Sequence, residues 1–276
     1  MGPGPGTDSP YHRVKRNLAR ANGYLRRKEY RKAVQAATTA FAIKPDCAQL
    51  VGKHKHELEF LCIEFCDNFN SNPGVIAFMH GIKIRARPFL AYGPGCEERV
   101  RTKLDIIGER MDAKEREAEA RRLAALQEKK ATWLERGQRA LDEGRYPRGK
   151  AWLRRVVDEF GHEPGVLADI AARLLDKDLL PEAADILAQA RAADPRDPAI
   201  YTMAIQAYQG LGEMAKAEAV YLAAIRQFGG HPQTYLNLAR HYMTWRKRDK
   251  AYEFARKALD ADPALTEARE IMRRTG

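Results

Sequence analysis

The stretch RDKAYEFARKALDADP, Arg248 to Pro263, decides the fold of this chain. Its apolar residues follow the three-and-four spacing of an amphipathic helix, but four residues of the stretch are alanine. A helix that lies on the core of a single ordinary domain would carry Leu or Ile at such positions. Small residues there indicate that neighbouring helices approach this one closely.

The same order of small and large residues recurs every 34 residues in the C-terminal half of the chain. The series of small residues is Gly149, Ala183, Ala217 and Ala251, and a series of large residues in step with it is Trp133, Leu167, Tyr201 and Tyr235. Each unit is predicted to form two amphipathic helices, A and then B, joined by a tight turn. Pro164, Pro198 and Pro232 are expected in the first turn of the next helix A. Helix B needs small residues because it contacts its own helix A and the next one.

This pattern resembles the tetratricopeptide repeat family, which has large, small and aromatic residues on helix A, small, large and small residues on helix B, and a closing proline. The matching residues are Trp133, Gly137, Tyr146, Gly149 and Val156; Leu167, Ala171, Leu174, Ala183, Ala190 and Pro195; Tyr201, Tyr208, Gly212, Ala217 and Ala224; and Tyr235, Ala239, Tyr242, Ala251, Ala258 and Pro263. The resemblance implies an all-α helical-repeat solenoid. It also implies a concave groove, lined by helix A residues, that binds a segment of another protein.

The chain is predicted to contain five segments. They are a flexible tail at 1–10, an isolated repeat-like helix pair at 11–45, a non-repeat insert at 46–95, a long charged connector helix at 96–130, and a four-repeat array with a C-terminal capping helix at 131–276. The connector continues from Glu97 to about Ala140, and its polar middle favours a solvent-spanning helix over a coiled-coil dimer seam.

The central insert changes its pattern along its length. Ala48 to Phe69 predicts an amphipathic helix, whereas residues 73–95 are consistent with helix, strand or loop. Because the period changes only here, we expect the apolar residues of this segment to be exposed and to contact a partner or a second copy of the chain. These residues are Ile82, Ile84, Phe89 and Tyr92.

The sequence shows no motif for catalysis or for a cofactor. Cys62 and Cys66 lie four residues apart near His54, His56 and His80, which is compatible with metal ligation. Their position on an apolar helix face favours buried thiols instead. The stretch HELEF lacks the second histidine of a zinc protease motif. We therefore expect no enzyme activity, no metal and no cofactor.

The charge of the chain is unevenly distributed. The net charge is +11, and Tyr11 to Lys44 holds ten basic residues against one acidic residue, Glu29. This basic arm, with Tyr11, Tyr24 and Tyr30 as stacking surfaces, supports nucleic-acid binding as the alternative function. No apolar run of membrane-spanning length and no export signal are evident, so we expect a cytoplasmic protein without membrane contact.

The favoured function is a protein-interaction adaptor whose partner binds along the helix A faces. The candidate groove residues are Glu135, Gln138, Asp142, Asp169, Asp176, Met203, Gln206, Asn237 and Arg240. In this order they run from an acidic end through a neutral centre to a basic end. A partner segment with the opposite order of charges would bind in one direction.

Overall fold

The computed structural model describes residues 9–85 and 87–276, so the expected tail at 1–10 lies almost wholly outside the described residues. The described residues form helices, turns and loops without a strand. The helices are α1 (Pro10–Arg26), α2 (Tyr30–Ile43), α3 (Gly52–Ser71), α4 (Pro73–Gly81), α5 (Glu97–Asp142), α6 (Tyr146–Phe160), α7 (Val166–Leu175), α8 (Leu180–Ala193), α9 (Pro198–Gly210), α10 (Met214–Phe228), α11 (Pro232–Thr244), α12 (Arg248–Ala261) and α13 (Thr266–Thr275), with a 3₁₀ turn at Lys44–Cys47. The all-α prediction is confirmed.

The chain divides into two compact units, Met1–Ala124 and Ala125–Gly276. The boundary falls inside α5, the 46-residue helix that the sequence analysis treats mainly as a connector. Residues 113–124 of this helix are exposed, including Leu123. The polar composition of this stretch explains why a helix without burial is stable there.

The first unit is built around the hairpin of α1 and α2, on which α3 packs. Its buried residues on α1 are Val14, Leu18, Ala21 and Leu25, which follow helical spacing. Small residues of α2 are buried against them, as Ala33 and Ala37 show. Small side chains let the two helix axes come close together.

The central segment contradicts the sequence-based expectation of exposure. After α4, the described residues between 82 and 96 form no regular helix or strand. Phe89 and its neighbour Leu90 are buried in the core of the first unit, and Ile82, Ile84 and Tyr92 pack against that core half-buried. A dimer through this segment stays a prediction, with Phe89 removed from the side chains that could contact a second copy. The loss of the helical spacing in the sequence indicated an irregular backbone in this segment, and it did not indicate an exposed apolar surface.

Asn70 at the end of α3 explains how the irregular segment is held. Its side-chain Nδ2 donates to the carbonyl oxygen of Leu90 at 2.7 Å, and its Oδ1 accepts from the Leu90 backbone N–H at 3.0 Å. The amide thus mimics a strand partner for one residue. Both backbone groups of Leu90 are satisfied while its side chain is buried.

The second unit contains the predicted array of eight helical segments and a cap. The C-terminal part of α5 is the first helix A, and α6 to α12 complete the four pairs. The small residues Ala183, Ala217 and Ala251 of the B helices have no exposed surface. The cap α13 buries Ala268 and Ile271 and keeps charged residues on its other side, as a terminal helix of an array requires.

The turns between helices A and B repeat one backbone conformation. Gly144, Asp178, Gly212 and Arg246 each have a positive φ angle, at the 34-residue spacing, and Lys28 has the same feature between α1 and α2. The left-handed conformation stops one helix and redirects the chain into the next. Only two of these five positions are glycine, so the sequence shows this period weakly.

The helix A starts are as predicted at Pro198 and Pro232, which are the first residues of α9 and α11. The Asp197 side chain accepts a hydrogen bond from Ala199 N–H and caps α9. Pro164 differs, because it precedes α7 by two residues. Gly165, with a φ of 81°, stands between them and turns the chain before the helix begins.

Candidate partner-binding surface on the A helices

The four A helices form a continuous row, because each contacts the next. Arg173 Nη1 of α7 donates to Gln138 Oε1 of α5 at 3.0 Å, α7 packs on α9, and Gln209 Nε2 of α9 lies 3.1 Å from His241 Nδ1 of α11. The nearest-neighbour stacking of a repeat array therefore includes polar contacts between A helices.

The acidic candidates at one end of this row are paired within the array. Asp169 accepts from Arg173 at 2.9 Å, and Lys177 lies 3.0 Å from Asp142 and 3.2 Å from Asp176. The bond from Lys177 lowers the pKa of the Asp142 carboxyl below its ordinary value, and Gln138 donates to the same carboxylate. The structure thus brings together four sequence-predicted residues around two cations.

Glu135 is also paired, since Arg139 one turn later donates to it at 2.5 Å. Four carboxylates therefore face three cations at this end of the row, which leaves an excess of one negative charge. The acidic end that the sequence predicts is weaker than its carboxylates alone would make it. Such exposed pairs contribute little to stability, so they can exchange partners at small cost.

The charged residue at the opposite end of the row is also paired within the array. The guanidinium of Arg240 binds both carboxylate oxygens of Glu267 on α13, with the Nε to Oε1 distance at 2.6 Å. Arg240 Nη1 also donates to Asn237 Oδ1 at 3.0 Å. The arginine lowers the pKa of Glu267. The single basic residue of the predicted groove is thus engaged by the cap.

The centre of the row carries no charge. Met203 and Gln206 stand three residues apart on α9, and therefore on one helix face, with Met203 half-buried and Gln206 exposed. Met203 packs against the core of the array. The structure does not join these two residues to the polar clusters at either end.

His241 is a buried polar residue of the row that the sequence analysis missed. Its Nε2–H donates to the Met214 carbonyl oxygen at 3.0 Å, and its Nδ1 accepts from the Gln209 amide at 3.1 Å. Burial lowers the pKa of this imidazole. The sequence signal that could have indicated its burial was the repeat period, because Ala207, 34 positions earlier, is a small buried residue.

Comparison with known proteins agrees with this architecture. Residues 232–265, which contain α11, α12 and the turn between them, match the sequence profile of the tetratricopeptide repeat family. This helix pair is a tetratricopeptide repeat. No curated protein sequence matches the chain.

Solved structures with partial similarity to this chain include three that cover different shares of it. The MamA protein is 17% identical over 52% of this chain and 78% of its own, with a TM-score of 0.41. TTC0263, a tetratricopeptide repeat protein of Thermus thermophilus, is 19% identical over 53% of this chain and 98% of its own, with a TM-score of 0.31. Pseudomonas aeruginosa PilF is 12% identical over 96% of this chain and 99% of its own, with a TM-score of 0.36.

The tyrosines of the basic N-terminal arm have protein neighbours. The Tyr11 hydroxyl donates to Glu57 at 2.5 Å, and Arg27 lies over the Tyr24 ring at 4.9 Å. Both tyrosines, together with Tyr30, pack against the core of the first unit. These rings serve helix packing, so the stacking surfaces expected for nucleic acid are already in contact with protein groups.

The cysteines of α3 are buried as the sequence analysis favoured. Burial raises the pKa of the Cys62 and Cys66 thiols to about 12. Within residues 9–85 and 87–276, no group of three His, Cys, Asp or Glu side chains is arranged to hold a metal ion. In the same part of the chain, no helix is both long and apolar enough to cross a lipid bilayer.

Proposed function

We propose that this chain is a tetratricopeptide repeat protein that acts as a non-catalytic adaptor and binds a segment of another protein along its row of A helices. One observation carries the proposal: adjacent A helices contact one another and present polar side chains over four successive repeats. A surface of this length suits an extended or helical segment better than a small molecule.

The chemistry of the row defines the partner segment. A basic group suits the end near Asp169 and Asp176, where one negative charge is in excess, and an apolar side chain suits the centre beside Met203. An acidic group suits the other end, where it would replace Glu267 on Arg240. Reversing the segment would place like charges together, so the segment binds in one direction.

The exposed ion pairs of the row support this mode of binding. A partner carboxylate or ammonium can take the place of one member of a pair, so the other member keeps a counter-charge in the complex. Binding then leaves no isolated buried charge, which would be costly.

A cytoplasmic location belongs to the same proposal. All four cysteines are free thiols, and three of them are buried. Reduced cysteines are typical of proteins in reducing compartments. Cell fractionation would test this part independently of binding.

Site-specific photo-crosslinking tests the proposed surface. A photoreactive residue at Gln206, in the centre of the row, should crosslink a partner in source cells, whereas the same residue at exposed Arg256 on α12 should not. The double variant Asp169→Lys/Asp176→Lys should lose this crosslink. The control Asp249→Lys/Asp260→Lys changes the net charge equally on α12 and should keep it.

All variants should retain the helical circular dichroism spectrum, because exposed helix faces contribute little to folding. A partner that crosslinks equally well to the charge-reversed row, and also to an Arg240→Glu variant, would show that the row of A helices is not the binding surface.

A further inference from the structure

The B helices form a second surface that the proposed function does not use. Helices α8 and α10, which belong to consecutive repeats, flank a groove of about 580 Å³. Tyr201 and Tyr208 of α9 form its floor, Arg191 stands on the α8 wall, and α10 forms the other wall. Its volume lies in the range of protein sites that bind ligands.

Two of the three cations that line this groove have no counter-charge. Arg191, Lys216 and Arg226 line it, and no Asp or Glu does. Lys216 pairs with Glu213 on its own helix at 2.6 Å. Neither Arg191 nor Arg226 has an ion-pair or hydrogen-bond partner among the described residues, which distinguishes them from the paired cations of the A helix row.

The preceding groove of the array shows that the repeat fold does not require this charge. Helices α6 and α8 flank a cavity of about 420 Å³ whose α8 wall carries Glu182 and Asp185. At the 34-residue register, these two positions correspond to Lys216 and Ala219 of the α10 wall. Lys150 lies 2.5 Å from Glu182, so an ion pair links the two walls of the first groove. The groove between α8 and α10 therefore carries positive charge and has no such ion pair across it, whereas the groove between α6 and α8 does.

We propose that the groove between α8 and α10, here named the basic groove, binds an acidic segment of a partner protein. Arg226 follows Lys216 by ten residues on α10, so about 15 Å of helix separates them. Arg191 is in register with Ile225 and stands at the same end as Arg226. Two guanidinium groups at one end bind carboxylates in bidentate fashion, and the ammonium at the other end binds a further carboxylate.

The middle of the basic groove selects an apolar side chain in the segment. Ala219 and Ala223 lie between the two cations of α10 and present only methyl groups. Their small size leaves room for a Leu-sized side chain above the floor. An extended segment covers the distance between the cations with about four or five residues, at roughly 3.3 Å per residue.

The floor of the groove favours a peptide over a nucleic acid. The Tyr201 hydroxyl donates to the Pro195 carbonyl oxygen at 3.1 Å, and its ring contacts Phe228 edge to face. Lys216 lies over the Tyr208 ring at 5.6 Å. These contacts leave little aromatic surface for base stacking, which single-stranded nucleic acids use in sequence-tolerant sites.

Fluorescence anisotropy with short labelled peptides tests the basic groove. The full chain is titrated with peptides that carry two glutamates, a central leucine and a third glutamate, with three to six residues between the acidic ends. At least one spacing should bind more than tenfold more tightly than the same peptide with glutamine in place of glutamate. Binding should weaken as salt concentration rises.

Two double variants locate the site. Arg191→Glu/Arg226→Glu should weaken peptide binding at least tenfold, whereas Arg248→Glu/Arg256→Glu, with the same change of charge at exposed positions of α12, should leave it within twofold. Asp169→Lys/Asp176→Lys, which tests the row of A helices, should also leave it within twofold. Circular dichroism of each variant establishes that the helices are intact.

Three results would overturn this proposal. They are equal binding of the glutamate and glutamine peptides, unchanged binding to the Arg191→Glu/Arg226→Glu variant, and displacement of the peptide by a single-stranded oligonucleotide that binds more tightly at this site. The adaptor function of the A helix row would survive each of them, because its variants and readout are separate.

Discussion

Gly149 of α6 packs against Gly137 of α5: a Cβ atom on Gly149 would stand 3.2 Å from the carbonyl oxygen of Gly137. The same atom would lie 2.5 Å from Cδ2 of Leu141, a buried side chain. The next three repeats carry alanine at the equivalent position. The first repeat needs glycine because Leu141 occupies the space of the methyl group.

Gly149→Ala should therefore destabilise the second unit by about 1 to 3 kcal/mol through overpacking. In an open helix the same change stabilises by up to about 1 kcal/mol, so the sign is diagnostic. All three tryptophans lie in the second unit, and urea unfolding followed by their fluorescence measures the effect. Gly23→Ala in the first unit is the control, since the nearest atom to its Cβ would be 3.9 Å away. Because the first unit contains no tryptophan, circular dichroism follows the unfolding of this control. Equal or greater stability of Gly149→Ala would contradict the packing argument.

Asn70→Ala should release the irregular segment after α4. The variant removes both side-chain hydrogen bonds to Leu90 and leaves buried backbone groups without partners, at a cost of about 1 to 3 kcal/mol. Trypsin should then cleave after Lys83 and Arg85 faster than in the parent chain. Asn68→Ala is the matched control, because the Asn68 amide donates a hydrogen bond of 3.2 Å to Asn22 on the exposed surface and not to the irregular segment. Equal cleavage rates in both variants would show that Asn70 does not hold the segment.

His241 should make the array less stable in acid. Burial lowers its pKa below the ordinary value of 6.5, although Glu218 acts in the opposite direction and Lys247 adds to the lowering. The neutral imidazole is the form that fits, with Nδ1 as acceptor and Nε2–H as donor. Its stabilising contribution is therefore fully present above pH 6.5 and is lost as the pH falls through the lowered pKa.

Urea unfolding at several pH values between 5 and 8 measures this dependence. The parent chain should lose more stability on acidification than His241→Gln, which does not titrate. The difference between the two chains isolates this residue from the other titrating groups. Parallel pH profiles would mean that protonation of His241 is tolerated in the folded array.

Cys96 should be the first thiol to react with an alkylating or disulfide reagent. It is half-exposed, whereas the other three cysteines are buried, and burial raises the pKa of Cys62 and Cys66 to about 12. Because the thiolate is the reactive form, those thiols should react only on unfolding. At pH 8 the folded chain should show one fast-reacting thiol, and Cys96→Ser should show none. More than one fast thiol in the parent would contradict the burial of Cys47, Cys62 and Cys66.

The sequence alone determined the class of fold and the pairing of helices. The 34-residue period, the alternation of large and small residues, and the positions of Ala183, Ala217 and Ala251 depend on helical spacing and side-chain volume. Both are local properties that can be read without coordinates. The same holds for α5, which the sequence predicts as one long charged helix with a polar middle.

Tertiary structure decided the charges that each surface presents. Lys177 lies beside Asp142, 35 residues earlier, only because α7 stacks on α5. The acidic end expected from the sequence therefore did not include the positive charge of Lys177. Leu90 is buried because Asn70 replaces a regular hydrogen-bond partner. The basic groove exists because α8 and α10 become neighbours after α9 folds between them. Contacts between residues distant in the chain depend on how helices stack, and a spacing pattern within each helix does not contain that information.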